Sequence, residues 1–146
     1  MAAAVVISAG LGHGAGSFAE AVRTAARAHG LRVLGPNGLG LIVPGAHLNA
    51  SFAHRMPAAG SLSLISQSGA IAAGLIEWAA HHGIGFAAIA SIGDAIDIDF
   101  GDLLDYFALD RNTRAILMYV EQISEGQEHQ PGIRVFKVLL DGPCRR

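Results

Sequence analysis

The segment Ser66-Gln67-Ser68-Gly69, at the end of an apolar run, carries the residue types that hold an oxyanion. Residues 61–66 read as a short buried strand that turns at once into a helix. This places Ser66, Gln67, Ser68 and Gly69 where the first helical N–H groups lack intrahelical partners and the macrodipole adds partial positive charge. Small side chains let a phosphate approach the backbone, and the hydroxyls of Ser66 and Ser68 can donate to it. They can equally cap the helix, the commoner use of Ser at such a place. A second candidate is Glu121, at the carboxyl end of the apolar run 113–120. In a parallel sheet it would share one rim with Ser66–Gly69 and the Gly93 loop, because all three follow strand ends. The alternative is a solvent-exposed Glu that starts a loop. The third candidate is the turn Gly35-Pro36-Asn37-Gly38, placed after a strand where open α/β sheets bind ligands, or simply a structural turn.

Three other patterns invite chemistry and carry less. His81 and His82 are adjacent, so they point in different directions on a helix, and no third ligand follows at a metal-site spacing. Asp94, Asp97, Asp99 and Asp102 suit either a cation or the start of a helix near residue 99, and capping is favoured because Leu103, Leu104, Phe107 and Ala108 follow as one apolar face. Gly10, Gly12, Gly14 and Gly16 alternate, whereas a dinucleotide fingerprint needs G-x-G-x-x-G and a later acidic residue. No metal site is expected.

The elements that must position these residues follow from apolar patterning. A strand over residues 4–8 leads through the glycine-rich loop to a helix opened by Ser17-Phe18-Ala19-Glu20, an S-x-x-E capping sequence, and closed at Gly30. Short strands are predicted at 32–34, 41–43, 86–92 and 113–121, with a helix after Gly69 that ends at Gly83 and a further strand over 133–140. Residues 44–59 read as a long irregular loop. Of 146 residues 51% are hydrophobic and 15% charged, which excludes disorder; a net charge of −2 without a basic run disfavours nucleic acid and an electrostatic membrane anchor. The single cysteine, Cys144, fits a reducing compartment, no apolar run is long enough to span a membrane, and the apolar N-terminus has no basic n-region, so a cytoplasmic protein is expected.

Several segments in this order resemble the nucleoside-diphosphate-forming acyl-CoA synthetases, relatives of the succinyl-CoA synthetase α subunit. They are Gly35-Pro36-Asn37-Gly38-Leu39-Gly40-Leu41, Leu48-Asn49-Ala50-Ser51-Phe52, Leu64-Ile65-Ser66-Gln67-Ser68-Gly69-Ala70, Gly83-Ile84-Gly85-Phe86, Ser91-Ile92-Gly93-Asp94, Asp102-Leu103-Leu104-Asp105-Tyr106 and Ala115-Ile116-Leu117-Met118-Tyr119-Val120-Glu121. The resemblance covers about residues 3–123 and is nearest the long bacterial proteins fused to an N-acetyltransferase domain, the protein lysine acetyltransferase type. It implies an α/β fold: a parallel-sheet, Rossmann-like and flavodoxin-like three-layer domain, here incomplete. Residues 1–43 would be the last part of a CoA-binding domain, 44–60 a linker, 61–123 the first half of a flavodoxin-like domain and 124–146 a divergent tail, as from a truncated or frameshifted reading frame.

The resemblance also implies roles. Ser66, Gln67, Ser68 and Gly69 would hold the phosphate of a phosphohistidine, Glu121 would orient that histidine, and Pro36, Asn37 and Gly38 would lie near the CoA thiol. The cofactors would be CoA or acyl-CoA, with ADP or ATP and Mg reaching the site only through an ATP-grasp partner domain or subunit. The family histidine lies in a Ser-His-Thr-Gly-like segment beyond the Glu, and none of His13, His29, His47, His54, His81, His82 and His129 sits in one. Catalysis by this chain alone is therefore not expected. A silent acyl-CoA-sensing module of a lysine acetyltransferase and a non-functional truncated product are the rival expectations, and a homo-oligomer is left open.

Overall fold

The computed structural model describes residues 2–121 and the strand 134–139. The first elements form a βαβ unit: β1 (Ala2–Val5), α1 (Phe18–Ala28) and β2 (Leu31–Leu34), with β1 parallel to β2 and Ala2 opposite Leu31. Helix α1 starts where the sequence predicts. Ser17 caps it by accepting from the Glu20 N–H at 3.1 Å, while the Glu20 carboxylate accepts from Gly16 at 2.7 Å, one residue before the partner of a reciprocal box. β1 differs from its predicted position, ending at Val5, with Ile7 and Ser8 already exposed. Hydrogen bonds from Val6 to the Leu34 carbonyl and from Asn37 to the Ser8 carbonyl still tie this stretch to β2.

A six-stranded sheet follows, in the order β4-β3-β6-β5-β7-β8. Its strands are β3 (Gly40–Val43), β4 (Leu48–Ser51), β5 (Ala59–Ser66), β6 (Phe86–Ser91), β7 (Ala115–Val120) and β8 (Arg134–Leu139). The three central strands, β6, β5 and β7, are parallel; β3, β4 and β8 join antiparallel at the sides. The α/β, flavodoxin-like expectation thus holds for the core of the sheet. Residues 44–59 are not one irregular loop: a 3-10 turn at Pro44–Ala46 and left-handed His47 (φ 53°) close a hairpin that makes β4 the partner of β3. β3, which lies in the segment assigned to the first unit, hydrogen-bonds to β6 of the second.

Helices cover both faces because strand side chains alternate. On one face Leu64, Phe86, Ile89 and Leu117 meet Ala72, Ile76 and Ala79 of α2 (Gly69–His81). On the other, Ile65, Ala88, Ala90, Ile116, Met118 and Val120 meet Phe107 of α3 (Phe100–Leu109), and Leu34 and Val5 of the first unit pack against the same cluster. This gives three layers. Among the described residues no helix is long and apolar enough to cross a membrane.

The βαβ unit is stitched to the sheet by main chain. Residues 94–98 run beside the end of β2, with Asp94, Ile96 and Ile98 donating to the carbonyls of Pro36, Gly35 and Val33 at 2.9, 3.2 and 3.1 Å. Asp97 strengthens the stitch, its Oδ2 accepting from the Val33 N–H at 2.8 Å and from Arg32 Nε at 2.9 Å, while Arg32 also reaches Asp102 at 2.7 Å. Asp99 caps α3 and closes a reciprocal box with Asp102. Burial pushes the Asp97 carboxyl up, but the Val33 N–H and the Arg32 guanidinium outweigh it and hold the group below the usual carboxylate range.

Two outcomes follow for stability. Phe107→Ala empties the centre of the α3 face and should lower the unfolding free energy by about 3–5 kcal/mol in urea denaturation. Asp97→Asn should cost about 1–3 kcal/mol near neutral pH by leaving the Val33 and Arg32 donors poorly matched. Because the folded-state pKa is depressed, this contribution is complete above the unfolded value of about 4 and disappears as pH falls through the folded one. Wild type and variant should therefore converge in acid, and a gap independent of pH would contradict this account of Asp97.

Candidate functional site

The parallel strands β5, β6 and β7 bring the turns that follow them to one rim of the sheet. On that rim β5 passes into α2. Ser68 is the N-cap, its carbonyl accepting from the Ala72 N–H at 3.1 Å and its Oγ from Ile71 at 3.4 Å. The remaining first-turn donors, the N–H groups of Gly69 and Ala70, have no partner among the described residues, and Ala70 is exposed. An anion at this place meets two main-chain donors and the positive end of the helix dipole.

The four residues of this turn divide the work. Ser66 is fully buried, and its hydroxyl donates to the Ser68 carbonyl at 2.8 Å while accepting from the Ser68 N–H at 3.1 Å. It shapes the turn from beneath. Gln67 donates from its main chain to the Tyr119 carbonyl at 3.1 Å, and its side-chain Oε1 accepts from the Glu121 N–H at 2.6 Å. Glu121 thus stands on the same rim, exposed, directly tied to the turn that opens α2.

The Gly35–Gly38 turn reaches the rim from the first unit. The Gly35–Pro36 bond is cis, Pro36 and Gly38 are buried, and Asn37 is exposed with a left-handed φ of 62°. The Asn37 side chain donates through Nδ2 to Asp94 Oδ1 at 3.0 Å. Neighbouring turns meet here without side chains between them. A Cβ on Gly93 would lie 2.0 Å from the Pro36 carbonyl oxygen, and one on Gly38 would lie 2.2 Å from that of Ser91. Gly69 backs onto Leu39, whose nitrogen would be 3.2 Å from an added Cβ. All three predicted groups of site residues therefore gather at one end of the fold, with Asn37, Ala70 and Glu121 facing solvent.

Two contributors were missed in the sequence. Buried Ser91 accepts from the Leu39 N–H at 2.9 Å and so fixes the distance between the first turn and the sheet. The signal was a lone hydroxyl ending an otherwise apolar strand. Asp94, weighed only as a cap or cation ligand, orients the Asn37 amide instead. The paired histidines lie at the far end of α2, where His82 is the C-cap and stacks on Trp78 with ring centroids 4.2 Å apart. Among the described residues no three His, Cys, Asp or Glu side chains gather as metal ligands would.

Known proteins resemble this chain in sequence and fold. The family described as succinyl-CoA ligase like flavodoxin domain matches residues 59–136, more than half of the chain and extending past residue 123. The α subunit of the ADP-forming acetate–CoA ligase I of Pyrococcus furiosus is 46% identical over 102 residues, covering 70% of this chain and 22% of the relative. The ADP-forming acetate–CoA ligase I of Archaeoglobus fulgidus is 38% identical over 129 residues, covering 86% of this chain and 19% of the relative. A solved acetyl-coenzyme A synthetase 1 of Ca. Korarchaeum cryptofilum, in complex with phosphate and ADP, superposes with a TM-score of 0.79 at 38% identity, over 86% of this chain and 27% of that one. The chain thus spans about a fifth to a quarter of the length of these relatives. With its sheet, its helix-opening turn and more than half its residues matched, the chain belongs to the succinyl-CoA ligase like flavodoxin domain family, as a relative of the ADP-forming acetate–CoA ligases.

Proposed function

We propose that this rim holds a phosphoryl group in transit within an NDP-forming acyl-CoA synthetase, which interconverts acyl-CoA, NDP and phosphate with acid, CoA and NTP through an acyl phosphate and a phosphohistidine. The observation that carries this is the pair of open N–H groups at Gly69 and Ala70 beside a tethered Glu121. A transferring phosphoryl group spreads charge over its oxygens, and donors already fixed in place stabilise it without reorganising. Ser68, Gly69 and Ala70 supply that environment. Ser66 and Gln67 hold the turn in shape. Glu121 would orient an imidazole and raise its basicity, the usual effect of a carboxylate beside a histidine.

Pro36 and Gly38 shape a turn that presents Asn37 toward the acyl-CoA side, so β1, α1 and β2 would belong to the CoA-binding part and the six-stranded sheet to the flavodoxin-like part. The phosphorylated histidine and an ATP-grasp domain or subunit, which brings ADP or ATP with Mg, would come from other sequence. On this reading the 146 residues are inactive alone and work in the cytoplasm. Support comes from the relatives, whose descriptions name acetate, CoA and ADP, and from the neighbouring structure that holds phosphate.

Inorganic phosphate tests the reading directly. Its addition should shift the amide resonances of Gly69 and Ala70 in a ¹⁵N spectrum. Ala70→Asp places a carboxylate at the exposed mouth of the helix, where it favours the helix dipole, so thermal stability should hold or rise. Phosphate affinity should fall about tenfold from like-charge repulsion over a few ångströms near the surface. Unshifted Gly69 and Ala70 amides, or an unweakened Ala70→Asp, would count against the proposal.

A further inference from the structure

We propose that Gln67 is a positioning residue: its side-chain carbonyl replaces the last main-chain rung between β5 and β7 and so holds Glu121 beside the opening of α2, an inference that rests on the phosphoryl-site reading above. The β5–β7 ladder runs from Leu62 opposite Ala115 to Ser66 opposite Tyr119. In a parallel pair, the next residue of β5 donates to one partner carbonyl and accepts from the N–H two residues further on. Gln67 keeps the first half of this pattern, donating from its main chain to the Tyr119 carbonyl at 3.1 Å. The chain then bends into α2 at Ser68. The acceptor for the Glu121 N–H is Gln67 Oε1, at 2.6 Å.

The chemistry of the amide suits this place. A shorter acceptor would not reach across the gap that the bend opens, and an apolar side chain would leave the Glu121 N–H to water. A carboxylate would accept the same bond but add a negative charge against both Glu121 and an incoming phosphate. A neutral acceptor of this length ties the carboxylate-bearing residue to the anion-binding turn without opposing the anion. The tie also joins the anion-binding turn to a residue far from it in sequence, so that the turn would meet the phosphoryl group and Glu121 the imidazole.

Amide hydrogen exchange and phosphate titration on the 146-residue chain separate the two layers of this account. In Gln67→Met the Glu121 amide should exchange about five- to tenfold faster, the size expected for loss of one hydrogen bond. Protection at Tyr119 and Met118 should stay unchanged and so show that the sheet is intact. Gln67→Glu, which keeps the acceptor, should retain protection at Glu121. An unchanged Glu121 rate in Gln67→Met overturns the proposal, as does equal loss at Tyr119 and Met118. In the second arm Glu121→Gln should tighten inorganic phosphate binding severalfold in the wild-type background and by less than about twofold with Gln67→Met, since an untethered carboxylate is screened by water. Equal effects on both backgrounds also overturn it. A chain that ignores phosphate yet shows the exchange effect keeps the clamp and refutes the phosphoryl site.

Discussion

Backbone meets backbone at the rim, and the other features of the site depend on that contact. The turn from the first unit lies against the turn after β6 so closely that neither Gly93 nor Gly38 has room for a single methyl group. Gly93 also adopts a φ of 51°, a conformation that suits glycine. With no side chain between them, main-chain donors and acceptors of the two units bond directly. Asp94 donates to the Pro36 carbonyl, and the Ser91 hydroxyl adds one side-chain acceptor for the Leu39 N–H. The exposed groups, Asn37 and the first turn of α2, are thereby placed by closely packed, hydrogen-bonded backbone.

Where main chain runs out, polar side chains take its place. Ser66 closes on both polar groups of Ser68, Ser91 stands in for a carbonyl toward Leu39, Asp97 for one toward Val33 and Gln67 for one toward Glu121. Apart from the exposed Glu121 N–H, each satisfies a donor that would be costly to leave unpaired in or near the core. The polar residues of this region therefore serve first to carry the ladder around corners. What they leave open, at Gly69 and Ala70, stands out against that near-complete pairing.

Much of this was legible in the sequence wherever the cause is local. The Ser17 and Asp99 caps, the apolar strand ending at Ser66 and the strand ending before Glu121 all follow from a few consecutive residues. The shared rim followed from one further step, that the central strands are parallel. What escaped depends on partners distant in sequence. Leu48-Asn49-Ala50-Ser51 has no strong strand pattern and becomes β4 only because the hairpin offers it β3. Asp97 finds Arg32 and Val33 more than sixty residues away. Ser66 carries a hydroxyl suited to an anion, but the bend that would expose it buries it. The predicted tail over 124–146 lies outside the described residues apart from β8, where a strand was expected.

The stitch between residues 94–98 and the end of β2 has a mechanical meaning. Three main-chain bonds, backed by the Asp97 carboxylate, mean that the βαβ unit can neither slide nor swing against the sheet without breaking several bonds together. The span from the Asn37 turn to the Ser68 turn is accordingly that of a ruler, set by peptide geometry together with the Asp97 and Ser91 side chains. A group exchanged between those two marks would itself have to travel, because bringing the marks together would break those bonds at once.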